Sequence, residues 1–245
     1  MQKNGNPTIS RITRWFFAAL VSVGSAWLRA EPPAADKPDQ DTRDKDAGEW
    51  VSLFDGKTLG KWKVTEFGGQ GEVAVKDGAI VIPTGNDMSG ITWTGKEWPK
   101  MNYELALEAR RVDGSDFFCG LTFAVNNDPC SLILGGWGGT VVGLSNLDGL
   151  DAYNNDTTKI VSFKKGQWYK IRLRVTPKNI SAWIDDDKAV DADIEGKKIS
   201  VRSEVDLSKP LGISTWQTTG AVRNVRYRQL PEEKKDGEPA KKADK

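Results

Sequence analysis

The amino-acid sequence predicts an all-β fold, a β-sandwich of two antiparallel sheets, on three observations. Beyond residue 50, most segments alternate apolar and polar residues with a period of two, as half-buried strands do. Gly, Asp and Asn residues that favour turns separate these short segments. No segment keeps a helical period for more than about two turns, and no internal repeat indicates a propeller or a solenoid. Many short strands in one domain of about 180 residues favour a sandwich.

The predicted strands follow one another with clear turn signals between them. A short strand, Val51 to Phe54, precedes an Asp55-Gly56 turn. A hairpin is predicted around Asp77-Gly78, because Asp-Gly favours the two-residue turns that join antiparallel strands. The other predicted strands are 72–75, 79–82, 103–110, 140–145, 168–175 and 179–184.

Four segments are predicted along the chain: a signal peptide over 1–30, a disordered linker over 31–48, the β-sandwich over 49–230 and a disordered charged tail over 231–245. The first segment has basic residues, then an apolar run, then a cleavage site after Ala30. An uncleaved anchor is the alternative, but the run is shorter than the about 20 residues that span a bilayer. The sequence therefore predicts export to the periplasm or the extracellular space, with no membrane association beyond the signal.

Charge and histidine content exclude several function classes. The formal net charge is +1, and the predicted signal holds four basic residues and no acidic one, so the mature domain is close to neutral. Such a domain offers no strong basic field for a nucleic-acid backbone, and nucleic acid is not an expected partner. The chain contains no histidine, which excludes Ser-His-Asp and Cys-His nucleophile systems and His-ligated metal sites.

Cys119 and Cys130 are the only cysteines. An even pair in an exported chain predicts a disulfide, since the residues between them form a strand, a turn and a second strand. The alternative is two reduced, buried thiols that act as small apolar residues.

Four segments resemble those of the 3-keto-disaccharide hydrolase family. They are Leu53-Phe54-Asp55-Gly56-Lys57-Thr58-Leu59 followed by Trp62, Gly166-Gln167-Trp168-Tyr169-Lys170-Ile171, Ala182-Trp183-Ile184-Asp185-Asp186, and the closing Val222-Arg223-Asn224-Val225. The resemblance implies a concanavalin A-like jelly-roll sandwich. It also implies that the substrate is a 3-keto-glycoside, which the family cleaves by elimination and hydration.

The chain departs from the family pattern in its middle. Apolar residues 132–134 stand where relatives carry a polar pair, and the segment Trp216-Gln217-Thr218-Thr219-Gly220 stands where many relatives have a His-Gly. The sequence is thus identified as a divergent member without histidine. The family's metal and acid–base residues do not transfer to matching positions, and no cofactor is expected.

Tryptophans and a glutamine are the candidate sugar-binding residues, because the apolar face of a pyranose packs on flat aromatic rings. Trp137 lies in a Gly-rich loop where a ligand could approach closely. Trp216 and Gln217 begin a second loop, and Trp183 projects from its strand opposite to Ile184. The alternative is that these rings fill the core of the sandwich.

Charged side chains on two predicted strands are the candidate catalytic residues. Glu108 and Arg110 lie on the polar face of the strand over 103–110, and Arg172 on that of the strand over 168–175. A carboxylate could remove the proton beside a ketone, and a guanidinium could stabilise the resulting oxyanion. The alternative is an exposed ladder of ion pairs across the strands.

An acidic, amide-rich loop over 147–156 is a further candidate for ligand binding. Asp148, Asp151 and Asn154 could bind sugar hydroxyls or, as a weaker prediction, a divalent cation such as calcium. The loop lacks the ligand spacing of a dedicated calcium loop.

Together these patterns predict an exported, carbohydrate-active domain. Its expected partner is a carbohydrate or a 3-keto-glycoside. The alternatives are a non-catalytic carbohydrate-binding or cell-surface interaction module on the same scaffold, and a purely structural envelope protein.

Overall fold

Two antiparallel sheets account for the strands of the computed structural model, which describes residues 47–232. The strands in chain order are β1 (Val51–Ser52), β2 (Trp62–Val64), β3 (Ala74–Lys76), β4 (Ala79–Ile82), β5 (Met88–Trp93), β6 (Tyr103–Gly114), β7 (Cys119–Val125), β8 (Asp128–Gly136), β9 (Val141–Ser145), β10 (Lys159–Ile160), β11 (Tyr169–Val175), β12 (Asn179–Ile184), β13 (Asp187–Asp193), β14 (Gly212–Trp216) and β15 (Thr218–Gln229). A 3-10 helix, Ser203–Ser208, precedes β14. The predicted all-β sandwich of two antiparallel sheets is confirmed.

The two sheets, which we call sheet A and sheet B, have the following strand orders. Sheet A has the order β13-β12-β11-β6-β15-β4-β3, and β1 pairs with the far part of β15. Sheet B has the order β10-β9-β8-β7-β14-β5-β2. Within residues 47–232 no helix is long and apolar enough to cross a bilayer.

The core lies between the inward faces of the two sheets. In β6 the apolar positions Tyr103, Leu105, Leu107 and Ala109 point inward, as the alternation predicts, and all are buried. The core also takes large residues from sheet B, and its largest fully buried side chains include Trp62, Phe118, Phe123, Leu121, Leu132, Leu134 and Leu144. Burial of this apolar surface is the main favourable contribution to folding.

The segment from Leu53 to Trp62 anchors the start of the domain to sheet A and to the core. Asp55 Oδ1 accepts hydrogen bonds from the amides of Lys57 and Thr58, which shapes the predicted turn. The buried Trp62 indole donates a hydrogen bond to the carbonyl oxygen of Leu53 at 2.9 Å.

The first strand is shorter than predicted, because β15 has an irregularity opposite it. The pairing of β15 with β6 shifts register between Arg223 and Arg226, where Asn224 has a positive φ of 53°. The amide of Leu53 bonds to the carbonyl oxygen of Val225 at this point. Regular pairing therefore ends at Ser52 and does not reach Phe54.

The other predicted strands and turns agree with the structure to within a few residues. The hairpin β3–β4 turns at Asp77-Gly78, both with positive φ. Asp185 also has a positive φ, in the turn between β12 and β13. These turns form locally because Asp and Gly tolerate the left-handed conformation.

The predicted disulfide is wrong: Cys119 and Cys130 are both free and buried. They do lie on neighbouring strands, but Cys119 is opposite Leu134 and Cys130 is opposite Phe123. An offset of four residues separates them by about 13 Å along the strand direction, beyond the reach of about 7 Å between Cα atoms that a disulfide allows. Burial raises the pKa of each thiol to about 12.

Some predicted segments lie outside the described residues. The signal peptide over 1–30, nearly all of the linker over 31–48 and the tail beyond residue 232 are in this category. Their assignments stay predictions.

Candidate functional site

A cleft on the outer face of sheet B gathers aromatic and polar side chains from distant parts of the chain. Its volume is about 220 Å³. Met88 of β5, Ser131 and Ile133 of β8 and Ser145 of β9 form its sheet surface. The other lining residues, which we call the cleft walls, are Asp116, Phe117, Trp137, Arg202, Glu204, Val205 and Trp216.

Two tryptophans give the cleft its exposed aromatic surface. Trp137 is 39% exposed and stacks against Tyr153, with ring centroids 6.2 Å apart and an interplanar angle of 22°. Trp216 ends β14 and is half-buried. Trp137 has a φ of 48°, and Gln217 after Trp216 has a φ of 43°. Positive φ at bulky residues is costly and concentrates at functional sites.

A buried arginine holds the loop that presents Trp137. Nη2 of Arg111 lies 3.1, 3.3 and 2.9 Å from the carbonyl oxygens of Asp116, Gly135 and Gly139. A Cβ atom at Gly135 would approach this nitrogen to 2.5 Å, so glycine is required for the contact. Burial lowers the pKa of Arg111, opposed by the negative charge of Asp116. The guanidinium thus connects both ends of the Gly135–Gly139 loop to the backbone of Asp116.

Asp116 connects the same loop to the sheet. Its Oδ2 accepts a hydrogen bond from the amide of Gly138, and its Oδ1 accepts one from the amide of Phe117. The Phe117 ring packs with Ile133 in a small apolar cluster that is separate from the main core. Glycine at 120 leaves room for that ring, which would lie 3.1 Å from an added Cβ.

An ion-pair group forms the polar wall of the cleft. Nη2 of Arg202 donates to Oε1 of Glu204 at 2.6 Å, and its Nη1 lies 3.5 Å from Oδ2 of Asp151. The hydrogen bond from Arg202 lowers the pKa of Glu204, although partial burial opposes it. A neutral amide group, Asn154, also binds Asp151. The wall offers one guanidinium and one carboxylate at the edge of an aromatic surface.

The predicted catalytic residues lie on the outer face of the other sheet. Glu108, Arg110 and Arg172 are on neighbouring strands, since Lys170 pairs with Glu108 and Arg172 with Ala106. The cleft with Trp137 and Trp216 belongs to sheet B, so these residues do not line it. The structure brings them together as an ion-pair surface.

Each of the three has a partner on that surface. Burial tends to raise the pKa of Glu108, but hydrogen bonds from Arg223 and Asn224 outweigh it and leave the pKa lowered. The Arg110 guanidinium lies 4.6 Å from the Trp168 ring. Arg172 donates to Glu104 at 3.0 Å. These contacts match the alternative interpretation of the three residues, a ladder of ion pairs across neighbouring strands, to which Arg110 adds a cation–π contact.

The predicted binding residues divide between several places. Trp137 and Trp216 line the cleft, Gln217 follows Trp216 and donates to Asp87, and Asp151 supports Arg202. Trp183 is on the outer face of sheet A, with the Arg172 guanidinium 3.7 Å from its ring centroid. Asp148 is occupied by hydrogen bonds from Lys197 and the amide of Lys198.

Among the cleft walls, sequence reasoning missed Asp116, Phe117, Arg202 and Glu204. It also missed Tyr153, which stacks on Trp137. Tyr153 lies inside the acidic loop that the sequence singled out, and its aromatic character was the available signal. Arg202 lies at the N-cap of the 3-10 helix before β14 and Glu204 lies in that helix, and no motif in the sequence marks either residue. Among residues 47–232 there is no group of three or more acidic or cysteine side chains placed to hold a metal ion.

Comparison with known proteins identifies the family and the fold. The model of the 3-keto-alpha-glucoside-1,2-lyase-like domain family matches residues 49–230. No curated protein sequence matches the chain.

The chain is similar to two solved structures, of which the first supports the fold. A protein of unknown function with a galectin-like fold from Bacillus subtilis has a TM-score of 0.52 at 9% identity, covering 76% of this chain and 97% of its own. Carbohydrate-binding module CBM66 from Bacillus subtilis has a TM-score of 0.44 at 13% identity, covering 69% of this chain and 96% of its own.

Proposed function

The chain belongs to the 3-keto-alpha-glucoside-1,2-lyase-like domain family, and on that premise we propose that the cleft on sheet B binds a glycoside. The observation that carries the proposal is the meeting of Trp137, Trp216 and Phe117 with Arg202, Glu204 and Asp116 around one cleft. The domain is carbohydrate-active, as its family is. The finer proposal is that the protein is exported and that its substrate is a 3-keto-glycoside, met in the periplasm or outside the cell.

The shape of the cleft suits a single sugar ring. Its volume of about 220 Å³ is below the roughly 300–1,000 Å³ of pockets for larger small molecules. The apolar face of a pyranose would pack on the exposed Trp137 ring, which Tyr153 supports from behind. Ring hydroxyls would bond to Arg202, Glu204 and the cleft hydroxyls. A longer glycan would extend beyond the walls.

The polar wall could support elimination from a 3-keto-glycoside. A carboxylate takes the proton from C2, which the C3 ketone acidifies, and the electron pair forms an enolate. The enolate then expels the group on C1: the C1–O bond breaks, a C1=C2 double bond forms, the C3 ketone is restored, and the departing oxygen takes a proton from solvent. Glu204 is the proposed base, and Arg202 beside it would stabilise the enolate oxygen. Water addition to the double bond completes the reaction.

The second candidate is a non-catalytic carbohydrate-binding module. It is favoured by the Arg202–Glu204 ion pair, because a carboxylate with a lowered pKa is a weak base. In this case the cleft retains recognition alone.

Incubation of the purified protein with 3-keto-glucosides, together with binding measurements, tests both candidates. For the enzyme we expect turnover that Glu204→Gln reduces by about 10²–10⁴-fold, and binding that Trp137→Ala weakens. For the binding module we expect binding that Trp137→Ala weakens, and no turnover. Trp183→Ala on sheet A is the matched control and should leave both unchanged. Neither binding nor turnover with any glycoside would refute the proposal and favour a structural envelope protein.

A further inference from the structure

The outer face of sheet A concentrates positive charge in a domain that is close to neutral. Strands β6, β11 and β15 place seven cations on this face against the two carboxylates Glu104 and Glu108. The seven are Arg110, Lys170, Arg172, Arg174, Arg223, Arg226 and Arg228. Composition cannot reveal this asymmetry, because charges on other faces cancel it in the total.

The two carboxylates that these three strands place on the face are already matched. Glu104 is fully buried and accepts hydrogen bonds from Arg172, Arg174 and Arg228. Glu108 accepts two hydrogen bonds from Arg223. Since each carboxylate carries one negative charge, the surface keeps an excess of positive charge after these pairs form.

A groove opens where the row of long side chains is interrupted. Ala106 of β6 pairs with Arg172 of β11 on one side and with Arg226 of β15 on the other. The methyl group of Ala106 therefore forms the floor between two guanidinium-bearing chains. The groove has a volume of about 600 Å³, and Trp50, Lys170, Asn224 and Asp185 also line it.

Two of the groove cations are available for a ligand. Lys170 and Arg226 are exposed, and among residues 47–232 neither forms a direct ion pair. Arg226 is held over the Trp50 ring at 4.8 Å, which fixes its position without neutralising its charge. Asp185 at the groove edge accepts a hydrogen bond from the amide of Lys170, and Glu108 lies beside the Lys170 side chain.

We propose that this groove binds an acidic polysaccharide, with a carboxylate or sulfate group seated over Ala106 between Arg172, Arg226 and Lys170. Guanidinium groups match the oxygen geometry of both anions and bond to them in pairs. The open groove lets the flanking sugars run along the sheet past the Trp50 ring. It lies on the sheet opposite to the proposed glycoside cleft, so the two sites can fail independently.

Binding titrations with defined polymers test this assignment. The probes are polygalacturonate for carboxylates, heparin for sulfates, neutral dextran, and duplex DNA for another class of polyanion. We expect one or both acidic polysaccharides to bind at low salt, more tightly than DNA, with affinity that falls as salt rises. Dextran should not bind to this face.

Variants then locate the site. Removing one charged partner lowers affinity by about tenfold or more. Arg226→Gln and Lys170→Gln should therefore each lower the affinity for the acidic polysaccharide about tenfold. Ala106→Glu places a carboxylate between Arg172 and Arg226 and should abolish binding while the melting temperature is kept. Lys63→Gln in β2 of sheet B removes equal charge and should change affinity little.

Three results would overturn the proposal. They are no binding of either acidic polysaccharide, tighter binding of DNA than of both, and binding that Arg226→Gln, Lys170→Gln and Ala106→Glu leave unchanged. Loss of glycoside binding in Trp137→Ala, with acidic polymers still bound, would show that the two proposed sites are separate.

Discussion

Substitution of Glu104 by glutamine should destabilise the domain strongly. The carboxylate is fully buried in β6 and accepts hydrogen bonds from Arg172 at 3.0 Å, Arg174 at 2.8 Å and Arg228 at 2.6 Å. Glu104→Gln keeps the size of the side chain but removes its charge. Three guanidinium groups would then stand close together with no negative charge between them.

The magnitude follows from burial of the partners. Breaking a buried ion pair by removing one member costs about 3–5 kcal/mol, because the other charge stays buried. The Arg174 and Arg228 side chains are only 7% and 15% exposed, whereas Arg172 is 33% exposed and partly screened by water. We therefore expect the lower part of that range, about 3 kcal/mol. For a domain of this size the melting temperature would fall by about 6–12 °C.

Urea unfolding followed by tryptophan fluorescence measures this change. The free energy of unfolding should fall with little change in the slope against urea concentration. Glu108→Gln is the matched control, since Glu108 lies on the same face of the same strand but is 21% exposed, and its partner Arg223 is 38% exposed. The control should cost about 1 kcal/mol or less. A loss from Glu104→Gln below about 1 kcal/mol, or no larger than that of the control, would refute the reasoning.

Three further predictions concern the cleft and the core. Arg111→Met should weaken glycoside binding by about tenfold or more, because the loop carrying Trp137 loses its carbonyl contacts; calorimetric titration measures the affinity. Cys119 and Cys130 should resist an aromatic disulfide reagent in the native protein and react only after unfolding, since both are buried with a pKa raised to about 12. Glu204 has a folded-state pKa below its reference value of 4.5, so its pair with Arg202 stabilises the fold above that pH and is lost as pH falls through the folded-state pKa. Melting temperatures from about pH 6 to about pH 3 should therefore decline less in Glu204→Gln than in the wild type.

Contrary outcomes are equally specific. Unchanged affinity in Arg111→Met would mean that the Gly135–Gly139 loop keeps its shape without the guanidinium. Rapid reaction of two thiols in the native protein would contradict the buried positions of both cysteines. Parallel melting profiles of Glu204→Gln and the wild type would show that the Arg202 pair contributes nothing to folding.

Much of the fold was predictable because its signals are local. The alternation in β6 and β11 assigns each side chain to a face, whatever lies opposite. The Asp77-Gly78 turn depends on the conformational preferences of two residues. The first strand was predicted too long because its end depends on the irregularity at Asn224 in a distant strand.

The cysteine prediction shows where local reasoning ends. The strand, turn and strand between Cys119 and Cys130 were predicted correctly, but the pairing depends on where the turn falls. The structure places it at Asn126 and Asn127, with Val125 opposite Asp128. That register puts the two thiols four positions apart.

By itself, the sequence determined the β-sandwich, because strand alternation and turn residues are properties of neighbouring residues, and its composition excluded histidine chemistry. The family came from the resemblance of four short segments, which the family model bears out. Only the tertiary structure decided which side chains meet. It places Trp137 and Trp216 with Arg202 and Glu204 on sheet B, and it places Glu108 and Arg172 on sheet A. The physical reason is that the order and register of strands are set by contacts between residues far apart in the chain. Alternation says that a side chain points outward, but only packing decides on which sheet and beside which neighbours.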